Sequence, residues 1–175
     1  RNGIETAAGS FCKIETLFLA TGVDVSTYLW PATYTGREGR DLQDYWSEDG
    51  PRAYLGMMVP SFPNLFMLYG PNSQPVSGGI SLPSWFQIWA AYIGQCLVGL
   101  FEGNHSSVEW SRDAYDAFNR RLDEEASALA FVTDKASSEK NYYVNAAGRL
   151  QANSPFETAD LYAMQKAPQA ADLEY

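Results

Sequence analysis

The chain has 175 residues, 46% hydrophobic and 19% charged, the proportions of a globular protein with a real core rather than of a disordered segment. A formal charge of −9 excludes a phosphate-backbone partner, which needs clustered Lys and Arg, so no nucleic acid is expected. Two cysteines (Cys12 and Cys96) and one histidine (His105) exclude a disulfide scaffold and leave no metal-ligand spacing, so no metal is expected.

Residues 1–10 place Gly3 and Gly9 around Ile4-Glu5-Thr6-Ala7, which predicts a hairpin with a glycine-bearing turn. Residues 11–20 begin by alternating and end continuously apolar, the pattern of a strand passing from a sheet edge into the interior and stopping at Thr21-Gly22. From Val23 to Gly50 the pattern dissolves into a surface excursion, with Leu42, Tyr45 and Trp46 spaced for one short helix. Gly50-Pro51 opens a turn before a strand over residues 53–59. Ser61-Phe62-Pro63 turns into a second, buried strand beginning at Asn64, which ends in a loop of Gly, Pro, Asn and Ser.

A long helix follows, starting near Ser81 or Ser84 with Pro83 in its first turn and ending at Gly103-Asn104. Residues 80–101 carry no charge, a length able to span a bilayer. Pro83, Gln87, Gln95 and the lack of flanking Lys or Arg instead predict a buried core helix and no membrane partner. Ser111 opens an amphipathic helix with Tyr115, Phe118, Leu122 and Leu129 on one face and a solvated charge run, including Asp123, on the other. The division expected is a body over 1–135 and an irregular tail over 136–175, rich in Asn and aromatic rings, that docks on the body. Cysteine usage, and an opening without a basic-then-apolar segment, point to a reducing, cytoplasmic compartment.

In α/β folds a ligand sits beyond the carboxyl ends of strands, where loops meet helix N-termini carrying unpaired N–H groups and partial positive charge. That rule places a ligand at residues 70–81. A hydrolase is disfavoured there. Gly79-Ile80-Ser81-Leu82-Pro83 approaches the nucleophile-elbow pattern but lacks its final Gly, has Ser81 separated from Tyr69 by eleven residues of loop, and has only His105 with Glu102 as partners. Neither G-x-G-x-x-G nor G-x-x-x-x-G-K-[ST] occurs, so the loop has no phosphate anchor beside it.

Five stretches in order resemble the C-terminal part of the flavin-dependent Baeyer–Villiger monooxygenases, within the flavin-containing monooxygenase superfamily. They are Glu15-Thr16-Leu17-Phe18-Leu19-Ala20-Thr21-Gly22 with Asp24, Gly50-Pro51-Arg52-Ala53-Tyr54-Leu55-Gly56, Phe62-Pro63-Asn64-Leu65-Phe66, Gly70-Pro71-Asn72-Ser73, and the tail's Asn141-Tyr142-Tyr143 with Gly148-Arg149. The tail is similar to the hydroxyacetophenone monooxygenase type. Glu15, where Asp is usual, and Val23, where an aromatic is common, depart from the pattern.

The resemblance implies an α/β fold, the C-terminal portion of a two-domain FAD- and NAD(P)-binding architecture with a few strands, a long helix, an amphipathic helix and an aromatic tail. It implies FAD and NADPH as cofactors of a longer parent, with a ketone and O2 as its small-molecule partners. The reaction implied is insertion of one oxygen atom into a ketone or aryl ketone through a C4a-peroxyflavin. The phosphate-binding glycines and catalytic residues are expected upstream of Arg1, leaving this chain inactive alone. The implied cofactor-side residues are Thr21, Gly22, Asp24, Gly70, Pro71, Asn72, Ser73, Ile80 and Ser81. Asn72, Ser73 and the start of the long helix face the flavin edge that becomes negative. Gln74, Pro75, Val76 and Ser77 form the implied substrate wall. N- or S-oxidation by a related flavoenzyme, and a non-catalytic interaction domain, are the competing readings. Apolar surface at Trp85, Trp89 and the tail rings is expected to drive a homo-oligomer.

Overall fold

The computed structural model describes residues 2–20, 27–133 and 143–175. The expected N-terminal hairpin is present: β1 (Gly3–Glu5) pairs antiparallel with β2 (Phe11–Lys13), with Gly9 in the left-handed region at φ 80° in the turn. Beyond Lys13 no strand continues. Leu17, Phe18 and Leu19 are 55%, 87% and 77% exposed, against the expected passage into an interior. An apolar run makes a buried strand only where neighbours cover it, and no described segment covers this one.

The short helix α1 (Leu42–Tyr45) is capped by Asp41, whose carboxylate accepts from the Gln43 and Asp44 N–H groups at 2.8 and 3.2 Å. Residues 53–59 and 64–69, expected as strands, are not strands. Tyr54 and Met58 share a single antiparallel bridge, and the backbone turns left-handed at Leu55, Gly56, Ser61, Asn64 and Tyr69. A positive φ every few residues interrupts extended backbone, so the segment folds as buried coil. Leu42, Trp46, Ala53, Val59, Phe62 and Met67 form its core.

The long helix α2 (Leu82–Glu102) begins at N-cap Ser81 with Pro83 in its first turn and ends at Gly103, as expected. It is buried along one face only, by Trp85, Trp89, Tyr92, Cys96 and Leu100, while Phe86, Val98 and Phe101 are exposed. Trp85 and Trp89, expected at the surface, are fully buried, because tail residues Phe156 and Leu161 join them in the main core. No described helix is long and apolar enough to cross a membrane.

Ser111 caps α3 (Arg112–Ala126) by accepting from the Ala114 N–H at 3.2 Å, and the buried face is Tyr115, Phe118, Asn119, Leu122 and Ala126. A one-turn helix, α4 (Ala130–Thr133), follows. The tail is more regular than its sequence suggests. It contributes β5 (Asn153–Ser154), parallel to β3 (Gln74–Pro75), a two-turn helix α5 (Thr158–Gln165), and β6 (Leu173–Glu174), antiparallel to β4 (Glu109–Trp110). The molecule is α/β, its described strands forming three two-stranded pairs, of which β4–β6 contributes Trp110 and Leu173 to the core around α2 and α3.

Candidate functional site

The loop from Gly70 to Ser81 runs between the buried coil and α2. Its entry is set by a close backbone crossing: a Cβ on Gly70 would collide with the Gly56 carbonyl, and one on Gly56 (φ 74°) with the Ser73 side chain. Only glycine fits either position. Gly70 and Pro71 are buried, as are Asn72 and Ser73.

The side chains of Asn72 and Ser73 point inward. Asn72, left-handed at φ 56°, donates through Nδ2 to the Leu150 and Asn153 carbonyls at 2.9 and 2.7 Å. Its N–H donates to the Gln151 carbonyl at 3.1 Å, and Ser73 Oγ donates to the Gly70 carbonyl at 2.8 Å. β3 pairs with tail strand β5, and the Val76 N–H donates to the Ser154 carbonyl at 2.9 Å. Thr158 Oγ1 lies 3.2 Å from Ser77 Oγ and donates to the Gly78 carbonyl. The tail is therefore the back wall of the whole loop.

Val76, Ser77, Gly79 and Ser81 are exposed, and Ile80 is half-buried against the main core. Ser81 makes no side-chain cap to its own helix; its Oγ lies 3.0 Å from Ser84 Oγ. The first turn of α2 carries no acidic residue, so its unpaired N–H groups and positive dipole end lack a compensating charge. Thr21, Gly22 and Asp24 lie outside the described residues, as do Asn141 and Tyr142.

Behind the loop is a partly buried polar network, in which Arg149 and Asn119 are buried and the carboxylates of Asp49 and Asp123 half-exposed. Arg149 donates from Nε to Asp123 Oδ1 at 3.0 Å, from Nη1 to the Pro51 carbonyl and Asn72 Oδ1 at 3.3 Å each, and from Nη2 to Asn119 Oδ1 at 3.3 Å. Arg52 donates from Nη1 to Asp123 Oδ2 at 2.7 Å and from Nε to Asp49 Oδ2 at 2.8 Å. The Arg52 hydrogen bond holds the Asp49 carboxyl below its ordinary range. Burial opposes the Arg52 charge, but the bonds to Asp49 and Asp123 outweigh it and raise its pKa. Burial, followed by the Arg52 charge, lowers that of Arg149.

Gln165, fully buried, closes the other side: its Oε1 accepts from Trp89 Nε1 at 3.0 Å, and its Nε2 donates to the Leu55 and Ser73 carbonyls at 3.0 and 3.1 Å. Sequence reading missed Asp123 and Gln165 as supports. Asp123 reads as part of a solvated charge run, and nothing local marks Gln165. Gly148-Arg149 was legible only as part of a family motif.

A cleft of about 650 Å³ lies between α1 and α3, with Tyr45 and Arg112 in its wall beside Asp49, Arg52, Asn119 and Asp123 of the polar network. His105 stacks on Tyr175 with ring centroids 4.6 Å apart. No cluster of three metal-ligating side chains occurs among the described residues.

No protein-family model matches the chain. An uncharacterized monooxygenase of Sinorhizobium fredii is 32% identical over 162 residues, covering 93% of this chain and 23% of its own length. A phenazine N-monooxygenase of Lysobacter antibioticus is 35% identical over 77% of this chain and 24% of its own length. Cyclohexanone 1,2-monooxygenase of an Acinetobacter species is 31% identical over 68% and 21%. The closed structure of a cyclohexanone monooxygenase superposes with a TM-score of 0.74 over 94% of this chain and 30% of that one, at 22% identity, which shows the fold. An NADP+-bound cyclohexanone monooxygenase from Rhodococcus sp. Phi1 matches at 26% identity and a TM-score of 0.64, over 75% and 24%.

The chain belongs to the flavin-dependent monooxygenase superfamily that includes the Baeyer–Villiger enzymes. It spans 21–24% of the length of these curated relatives.

Proposed function

We propose that the chain is the C-terminal portion of a FAD- and NADPH-dependent monooxygenase of the hydroxyacetophenone type, which inserts one atom of O2 into a ketone or aryl ketone. The observation that carries this reading is the loop: a rigid turn, clamped from behind, presenting exposed backbone beside an uncapped helix N-terminus free of acidic residues. Its composition matches the Gly-Pro-Asn-Ser stretch that gave the resemblance. The NADP+-bound relative supports the nicotinamide cofactor, and the cyclohexanone enzymes support the ketone.

The residues present fit one side of a flavin and no more. The α2 N-terminus, with Ile80 and Ser81, suits an isoalloxazine edge that becomes negative on reduction. FAD supplies the redox and oxygen-activating chemistry when bound. The backbone of Asn72 and Ser73 fixes where the helix end points, while their side chains are engaged inward. Val76 and Ser77, exposed at the loop tip, are the substrate-facing residues, and β3 holds Gln74 and Pro75 behind them. Thr21, Gly22 and Asp24 are assigned to the opposite side of the cofactor from the family motif. The chain carries no glycine-rich phosphate cradle, so the adenosine diphosphate end belongs to other parts of the parent.

Two measurements test this. Titrated with FAD, the chain alone is expected to bind no tighter than roughly millimolar; stoichiometric micromolar binding would reveal a phosphate site and overturn the assignment. In the parent chain, NADPH consumption is expected to depend on an aryl ketone and to yield the ester. The phenazine N-monooxygenase relative favours a second reading, N-oxidation of a heteroaromatic substrate. An N-oxide product in place of an ester decides for it.

A further inference from the structure

We propose that Arg149 is a positioning residue for the flavin-side loop, acting through Asn72. The proposal rests on the reading above and adds the device that sets the loop's geometry. Asn tolerates a left-handed backbone better than most L residues, and at Asn72, with φ 56°, its hydrogen bonds fix which way the loop turns. Its backbone N–H and both ends of its amide are engaged by residues 149–153. Three of the partners are carbonyls of the tail backbone itself, those of Leu150, Gln151 and Asn153, which go wherever the tail goes. The fourth is the Arg149 guanidinium, which ties the tail to the rest of the protein. It reaches Asp123 and Asn119 on α3, the Pro51 carbonyl at the turn before the buried coil, and Asn72 on the loop.

Arg149 is thus a junction of four segments that are distant in sequence, beside Gln151, whose Nε2 donates to the same Pro51 carbonyl at 2.8 Å. Gln165 anchors the same loop from the other side at the Ser73 carbonyl. The network contains two arginines, Arg52 and Arg149, facing two aspartates, Asp49 and Asp123. It leaves no net charge for an anion, which argues for positioning rather than ligand binding. Planar, divergent N–H groups are what four simultaneous bonds require; a lysine ammonium has the charge without the fork.

The test is backbone amide hydrogen exchange on the 175-residue chain without flavin. It reads the Asn72 and Val76 N–H groups, which donate to the Gln151 and Ser154 carbonyls, against reference amides within α2 and α3. Arg149→Lys is expected to accelerate exchange at both positions by about tenfold or more while the reference amides change by less than about twofold. Asn72→Gly keeps the left-handed backbone and removes the side chain, and is expected to reproduce the effect at Val76. At Val76 the double variant is expected to fall short of the product of the two single effects, because the two substitutions remove the Arg149–Asn72 bond in common. Uniform acceleration across α2 and α3 would make Arg149 a general stabiliser and overturn the proposal. Unchanged exchange at Asn72 and Val76, or additive effects in the double variant, would overturn it as well. Because no flavin enters the experiment, a parent that fails to bind FAD refutes the functional reading and leaves this result standing.

Discussion

Two stretches of this chain carry the same sequence signature, an apolar run ending at a Gly-bearing turn, and the fold treats them oppositely. Residues 64–69 run into Gly70 and lie against the body through Met67, which is buried with its N–H bonded to the Met57 carbonyl at 2.8 Å, while Leu68 and Tyr69 keep an outer face 54% and 41% exposed. Residues 14–20 run toward Gly22 with Phe18 87% exposed. The difference lies in what arrives from far along the chain. The first stretch receives Val108, bonded to Asn64, and Trp89, stacked on Tyr69, and the loop that follows it receives the tail, through Arg149, Gln151, β5 and Gln165; among the described residues the second bonds only within the N-terminal hairpin, from the Ile14 N–H to the Asn2 carbonyl. Burial is a property of the pair of segments, and an apolar run supplies only half of it.

The sharpest way to break this contrast is on the covered side. Trp89→Ala removes a fully buried ring stacked on Trp85 and Tyr69 and leaves Gln165 Oε1 without its donor. A loss of about 3–5 kcal/mol is expected, enough to unfold a domain of ordinary marginal stability. Chemical denaturation measures it, and a loss below about 1 kcal/mol would mean that the core around α2 is not the one described. Gln165→Ala comes next. It deprives Trp89 Nε1 and the Leu55 and Ser73 carbonyls of partners together, and about 2–3 kcal/mol is expected from the unsatisfied buried groups.

These two residues mark the limit of what was legible beforehand. The N-terminal hairpin, the helix starts at Ser81 and Ser111, the end of α2 at Gly103 and the apolar face of α3 at Tyr115, Phe118 and Leu122 are local: each follows from a few neighbouring residues, and each is where the pattern put it. The strands expected at 53–59 and 64–69 failed because Leu55, Ser61 and Tyr69 adopt a left-handed backbone that their residue types do not announce. Asn72 was legible as a turn residue but not as an inward one. Its partners lie 78 and 81 positions away, and no local pattern encodes a contact of that span.

Alkaline pH probes the covered core more gently. Burial pushes the Cys96 thiol from an ordinary value of 9.0 up to about 11, and it also raises the Tyr54, Tyr92 and Tyr115 hydroxyls above 10.0. A raised folded-state pKa means that the unfolded chain releases its proton first. The stability these groups contribute is therefore full below about pH 9 and falls as pH rises toward 11 and beyond. Thermal unfolding at pH 7, 9 and 10.5 is expected to show a flat and then a descending midpoint. Cys96→Val is expected to soften the first part of the descent while leaving the tyrosine-dependent remainder.

The smallest expected effect is on the other side of the contrast. Phe18→Ser changes a large apolar residue to a small polar one, yet at 87% exposure the ring has almost no buried area to lose. Area removed from water is what converts an apolar side chain into stability, at roughly 25 cal/mol per Å². In this chain the substitution is expected to move the unfolding free energy by less than about 0.5 kcal/mol. In the parent the expectation reverses. A segment that matches the acidic-x4-Ala-Thr-Gly strand of flavin monooxygenases is proposed to be covered there, and the same substitution is expected to cost about 3 kcal/mol, as for a buried ring. Equal, small effects in both settings would show that residues 14–20 stay uncovered in the parent too, removing them and the adjoining Thr21, Gly22 and Asp24 from the cofactor side.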